Sequence, residues 1–354
     1  MTTKTYRYKL LSIAFILSLY GASAHAGLMF TNAQGADFES DNGLYGKISA
    51  GIVFFEAPRR DHIGATYEEC CGDEVGLNNV YKFEPDDEAP AIAFTLGRQM
   101  ASYSLFGGAN TRIEGTLQYF RADDSQTTTR EPDLGFTDFL GIDGSGYVDD
   151  IEMNTTTGSF SADYNVIDFD VRIRSDIQSS NKKLTWTPSV GFALTRLEED
   201  HDISFTTDGG DQFNTIDESV DTVYVGPVVG IEFNYQTSPK WSFNGGVDLH
   251  MAYVDADYKG SQSPDADTAS ISAHDDDSDF SLNTTVSLGT TYDAGWSKLS
   301  FVAGWQHWSY APVIEHPVAP IGNAYDGTTS TRPAHIGSDS MTMGFIGLSL
   351  TKNF

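Results

Sequence analysis

Two short spacings in this 354-residue chain bring reactive side-chain types together. In His307-Trp308-Ser309 one residue separates an imidazole from a hydroxyl, so on an extended strand both point to the same face. Histidine beside serine is the pair that activates a nucleophile, with Glu315 or His316 as a third, orienting group. The surrounding Trp305, Trp308 and Tyr310 also suit an aromatic girdle at a membrane interface, in which His307 and Ser309 would have no chemical role. Asp248-Leu249-His250 places a carboxylate and an imidazole on one face, an arrangement used for acid–base work and equally for a plain ion pair.

Acid dominates the rest. The formal net charge is −29, which argues against nucleic acid as a partner. Much of the acid lies in loops, including Asp73, Glu74, Asp86, Asp87, Glu88, Glu198 to Asp200 and Asp275 to Asp277. Carboxylates among carbonyl-rich turns are hard-oxygen ligands for Ca²⁺ or Mg²⁺, and the best local candidate set is Asp143, Asp149 and Asp150. That stretch does not have the EF-hand pattern, and repulsive, solvated loops need no ion. No resident cofactor is expected beyond such an ion, which could also bridge the loops to anionic lipopolysaccharide. The two cysteines, Cys70 and Cys71, are adjacent, which suits a loop thiol pair or a local bridge rather than a disulfide scaffold or zinc site.

The elements that position these residues are strands. Lys4, Arg7 and Lys9 precede an apolar run from Leu10 to Leu19, and Ala24-His25-Ala26 supplies a small-x-small cleavage site. Residues 1–26 therefore read as a secretory signal peptide, leaving 27–354 as one domain. After residue 26 nothing approaches the roughly 20 apolar residues of a spanning helix, but a transmembrane barrel crosses on alternating residues and needs no such run. Period-two alternation picks out ten segments: 43–55, 90–98, 111–122, 158–174, 184–197, 219–235, 241–255, 278–292, 297–310 and 339–354. Long connections (56–89, 123–157, 198–218, 256–277, 311–338) alternate with short ones, the rhythm of external loops and periplasmic turns. The expected fold is an all-β, antiparallel, up-and-down transmembrane barrel of ten strands, with eight or twelve as alternatives. A parity change near Val166 suggests a bulge there, and Pro227 suggests another irregularity.

Parity then assigns the faces. Trp241, Phe243, Val247, Leu249, Met251 and Tyr253 should meet lipid, as should Ile167, Phe169, Val171 and Ile173. Lys47, Arg112, Glu114, Asp168, Asp170, Arg172, Arg174, Glu232, Asp248 and His250 should line the lumen. Such mixed charge either lines a polar channel or pairs across a narrow lumen as a plug, because buried charges need partners. On the outward parity His307 and Ser309 would face lipid.

These patterns resemble the opacity-protein and OmpA-type outer-membrane β-barrel family of Gram-negative bacteria. Gly43-Leu44-Tyr45-Gly46-Lys47-Ile48-Ser49-Ala50-Gly51 is similar to its first strand, Arg112-Ile113-Glu114-Gly115-Thr116-Leu117-Gln118-Tyr119-Phe120 to its Arg-Leu-Glu-rich strand, and Thr187-Pro188-Ser189-Val190-Gly191-Phe192-Ala193-Leu194 to a strand after a periplasmic turn. The chain departs from the family in having ten segments where eight are usual, and in carrying Lys352 where the C-terminal assembly signal usually has an apolar or aromatic residue. The resemblance implies location in the cell outer membrane among lipid and lipopolysaccharide, and delivery to the barrel-assembly machinery through the strand ending at Phe354. It implies a non-enzymatic, porin-like or structural surface protein, with an adhesin or receptor acting through the loops as the alternative. His-x-Ser also resembles the lipid A deacylase and outer-membrane phospholipase families, though Tyr310 stands where they carry asparagine. Asp123, Asp124, Asp248 and His250 bear only a loose resemblance to the dyads of omptin proteases.

Overall fold

The computed structural model describes residues 43–56, 60–62, 65–70, 73–78, 81–83, 86–100, 110–130, 136–144, 147–152, 156–207, 210, 212–264, 270–317 and 332–354. Residues 1–26, read above as a leader, lie outside them, as does Cys71. Ten strands close into a barrel: β1 (Leu44–Glu56), β2 (Asp86–Met100), β3 (Asn110–Arg130), β4 (Thr156–Gln178), β5 (Leu184–Thr207), β6 (Gln212–Gln236), β7 (Trp241–Pro264), β8 (Ile271–Asp293), β9 (Lys298–Glu315) and β10 (His335–Asn353). Each strand pairs antiparallel with its sequence neighbour, and β1 with β10 closes the ring from Tyr45↔Asn353 to Glu56↔Thr342. Closure leaves no unpaired edge, the condition for a sheet to stand in lipid. Outside the ring, Arg60–His62 pairs with Tyr81–Phe83, and Asp73–Asn78, Ala65–Cys70, Phe136–Leu140 and Tyr147–Glu152 form a four-stranded sheet.

Alternation sets the faces as expected. Ile113, Leu117, Tyr119, Ile167, Phe169, Phe192, Leu194, Phe243, Tyr253, Phe301 and Leu348 are exposed outward, between 40% and 58%. Exposed apolar surface on this scale is untenable in water and is what hydrocarbon requires. The band stops where charge begins on the same face. Arg121 pairs with Asp163 at 2.7 Å, one outward step above Tyr119, and Arg196 pairs with Asp221 at 2.5 Å, one outward step above Leu194. Trp186, Tyr235, Trp241 and Trp296 sit exposed at the other rim, beside the turns at 179–183, 237–240 and 294–297. Lys352 is also exposed there, on the outward parity of Leu348 and Leu350.

Two expectations are corrected. Strands run well past the band, so most of 198–218 and 256–277 is strand rather than loop. Above the lipid the outward face turns acidic while the inward face stays apolar, with Ile203, Phe205, Ile216 and Val220 all buried. The three acids Glu198, Glu199 and Asp200 mask this alternation in the sequence, because Glu199 points in and its neighbours do not. No bulge interrupts β4. Its pairing with β3 keeps one register from Thr156↔Arg130 to Asp176↔Asn110, and the apolar Phe160, Ala162, Tyr164 and Val166 stay on the lumen parity. At Pro227 the expected irregularity takes the form of a gap rather than a bulge: the ladder to β7 skips Gly226 and Pro227 and resumes in the same register at Val228↔His250. Within the barrel, the register shifts among the described residues lie at Phe205/Thr206 and at Trp308/Ala311.

Glycines opposite large inward side chains let the wall close. A Cβ on Gly97 would lie 2.1 Å from the Tyr45 ring, and one on Gly304 would lie 2.3 Å from the Phe345 ring. Each aromatic occupies the space a Cβ would fill, covering glycine in a strand where it otherwise packs poorly.

Candidate functional site

All ten charged or titratable residues expected in the lumen point into it, in the half nearer the short turns. Lys47, Arg112, Glu114, Asp170, Arg172, Arg174, Glu232, Asp248 and His250 are each at most 5% exposed, and Asp168 is half-buried. The even-numbered face of β4 is the spine of the network. Arg172 pairs with Asp170 and, at 2.6 Å, with Asp248 of β7. Arg174 pairs with Glu232 of β6 and, at 2.7 Å, with Glu114 of β3. Arg112 reaches Glu114 at 2.6 Å and Asp176 at 2.8 Å. Two participants were missed from sequence: Asp176, which also accepts from Thr187, and Tyr45, which donates to Glu114. Parity would have found both, since Asp176 continues the Arg172-Arg174 face just past the expected strand end and Tyr45 shares the face of Lys47.

The network joins strands that are not neighbours in the ring. Arg172 ties β4 to β7, and Arg174 ties β4 to β6 as well as to its neighbour β3. It therefore bridges the lumen rather than lining it. Burial makes each pair depend on its partner, because a lone charge in so dry a place would have to be neutralised. Asp248 is committed to Arg172, and His250 makes no hydrogen bond among the described residues, so Asp248 and His250 form no acid–base dyad.

Above this layer the lumen is apolar and aromatic. Tyr224 meets Trp308 edge-on at 4.5 Å, Phe55 meets Tyr164 at 4.7 Å, and Met341, Met343 and Phe345 are each about 1% exposed or less. Connecting residues enter the outer mouth. Ile142 is fully buried, with its N–H donating to Gln262 at 2.8 Å, and Ala334 N–H donates to the Ile142 carbonyl at 2.7 Å. His316 lies 2.7 Å from Glu218, which also accepts from the Tyr258 hydroxyl at 2.7 Å. Burial and the Glu218 charge push the Tyr258 phenol far above its ordinary value, so it stays protonated and donates.

His307 and Ser309 both face outward, as parity required, but they are not joined. The His307 ring stacks on Trp305 at 5.8 Å, and its Nδ1 lies 3.3 Å from the Thr342 hydroxyl. The Ser309 hydroxyl accepts from Leu282 N–H at 2.8 Å. That bond falls beside the β9 register shift and satisfies a backbone donor the irregular ladder would otherwise leave in hydrocarbon. The described residues contain no group of three or more His, Cys, Asp or Glu placed to hold a metal ion. Asp143 is among them, whereas the side chains of Asp149, Asp150 and Cys70 lie outside what the structure describes.

The sequence model of the Legionella pneumophila major outer membrane protein precursor family matches residues 75–348. The chain belongs to that family. It is an outer-membrane β-barrel protein, and the apolar band and the ring of ten strands are the physical form of that assignment. No curated protein matches the chain. Solved structures similar to this family member include the Pseudomonas putida toluene transporter TodX (9% identity, TM-score 0.29, covering 94% of this chain and 95% of that one). A Pseudomonas aeruginosa FadL homologue matches with 10% identity and TM-score 0.26, covering 89% and 91%. The transport unit of the Escherichia coli autotransporter AIDA-I matches with 7% identity and TM-score 0.29, covering 98% and 97%. Identities and scores this low carry no argument about what this chain does.

Proposed function

We propose that this family member is a structural surface barrel, at the closed end of the porin-like or structural range that the opacity and OmpA-type resemblance implies. Its lumen is a strut, and its working surface is the set of hairpins above the outer leaflet. One observation carries this reading: Arg172 and Arg174 are each 1% exposed, whereas a water-filled path beside them would wet both guanidinium groups. A ten-strand barrel is only slightly wider than the eight-strand size that side chains fill, and here long charged and aromatic residues fill it. The protein works without catalysis or a resident cofactor. Its surroundings are outer-membrane lipid and lipopolysaccharide, to which divalent ions link the acid-rich hairpins, and the assembly machinery engages β10 and Phe354.

Liposomes carrying the refolded barrel test the reading. Swelling in small sugars should match protein-free liposomes, and faster swelling would overturn it. A second arm addresses the surface role. Deleting residues 131–155 should abolish attachment to the cell or matrix surface the protein recognises, while the barrel remains heat-modifiable on gels. Unchanged attachment would remove that segment from the role.

A further inference from the structure

At the short-turn end the lumen opens into a cleft of about 80 Å³ whose charge is opposite to that of the chain as a whole. Lys182 and Lys183 line it from the β4–β5 turn, Lys240 from the β6–β7 turn with its ammonium 6.0 Å over the Tyr292 ring, and Lys298 from the first residue of β9. The sequence has only ten lysines, and these four gather at one mouth of a protein with net charge −29. Among the described residues none of the four makes a salt bridge, although acids outnumber bases more than twofold. Two carboxylates share the cleft. Asp176 is already held by Arg112 and Thr187, and Asp293 accepts from Gly295 N–H at 2.7 Å. The rest of the lining is mostly amides and hydroxyls, such as Asn110, Gln178 and Ser242, which can donate without adding charge.

We propose that this periplasmic vestibule is a binding site for a small phosphate-bearing anion. The cleft has room for a phosphoryl group and opens to solvent beyond it. Lysine ammoniums on flexible stems suit phosphate as point charges, and phosphate draws more from several of them than a single carboxylate does. The lining strand residues lie mainly on the lumen parity, so the cleft faces the periplasm through the barrel mouth rather than the lipid headgroups outside the wall. The source is therefore inorganic phosphate or the phosphoryl group of a soluble compound. The site goes beyond the structural role proposed above and stands without it, because the vestibule is open on its own side whether or not the lumen conducts.

The test uses the full-length barrel refolded in zwitterionic lipid nanodiscs, with inorganic phosphate titrated against ionic-strength-matched chloride and followed by calorimetry. Saturable binding is expected. It should weaken by roughly tenfold or more in Lys240→Gln/Lys298→Gln, which removes two charge-assisted donors. Lys259→Gln, which removes a lysine paired with Asp257 at the other end of the barrel, should leave it unchanged. Both variants should run as heat-modifiable barrels, which separates loss of the site from loss of the fold. Including anionic phospholipid identifies the source. Unchanged affinity supports a soluble ligand, and competition would mean that headgroups reach the cleft, overturning the vestibule assignment. Non-saturable heats, or equal affinity in wild type and Lys240→Gln/Lys298→Gln, would also overturn the proposal.

Discussion

Arg174→Met is the most informative single perturbation of the lumen. Arg174 is 1% exposed and holds two carboxylates, Glu114 and Glu232. After the change Glu114 keeps Arg112 and the Tyr45 hydroxyl, but Glu232 loses its guanidinium partner and keeps only the nearby charge of Lys47. Removing one partner of a buried pair costs about 3–5 kcal/mol, against about 0–1 kcal/mol for an exposed pair. The folded population relative to the unfolded should therefore fall by roughly 10²- to 10⁴-fold. Urea unfolding of the barrel refolded into phosphatidylcholine vesicles, read by tryptophan fluorescence, measures this directly. Arg174→Met/Glu232→Leu should regain most of the loss, because an apolar pair of similar volume replaces a buried ion pair at little net cost. A loss below about 1 kcal/mol for Arg174→Met would mean that water reaches Glu232, and the idea of a dry charged strut would be wrong.

Other changes probe separate parts of the account. Gly304→Ala should lower stability by about 1–3 kcal/mol through overpacking, since a Cβ there would sit 2.3 Å from the Phe345 ring and 2.4 Å from the Val286 carbonyl; a neutral result in the same urea assay would show that the wall gives way. Ser309→Ala should cost about 1 kcal/mol by orphaning Leu282 N–H, while neither it nor His307→Ala alters lipid A acylation by mass spectrometry; an acylation change would restore the hydrolase reading. Asp202 and Asp217 oppose each other across β5 and β6 above the lipid, and partial burial with the Asp217 charge raises the Asp202 carboxyl. A raised folded-state acid contributes stability below its ordinary range and loses it as pH rises, so Asp202→Asn should stabilise by about 0.2–1 kcal/mol at neutral pH, with no gain once both acids are protonated. A gain that is the same at low and neutral pH would exclude the charge pair as its cause.

The lipid-facing half of the barrel was readable because hydrocarbon accepts only apolar side chains, so Trp241 to Tyr253 and Ile167 to Ile173 leave an unbroken period of two. The same parity placed the charges of the lumen. It did not show how they pair, because Arg172–Asp248 and Arg174–Glu232 join strands far apart in sequence. Above the lipid the outward face meets water and the constraint on it lapses. That is why Glu199 inward beside Glu198 and Asp200 outward read as a loop, and why Tyr164 and Val166 inward read as a bulge. The outer-mouth contacts of Ile142 and His316 come from connecting residues, where no period exists to read.

Single-channel recording tests the central claim most directly. With the purified, refolded barrel in a planar lipid bilayer, a lumen bridged by Arg172 and Arg174 should give no conductance steps above background across the working voltage range. Discrete, reproducible steps from the wild-type protein that disappear when the protein is left out would contradict it.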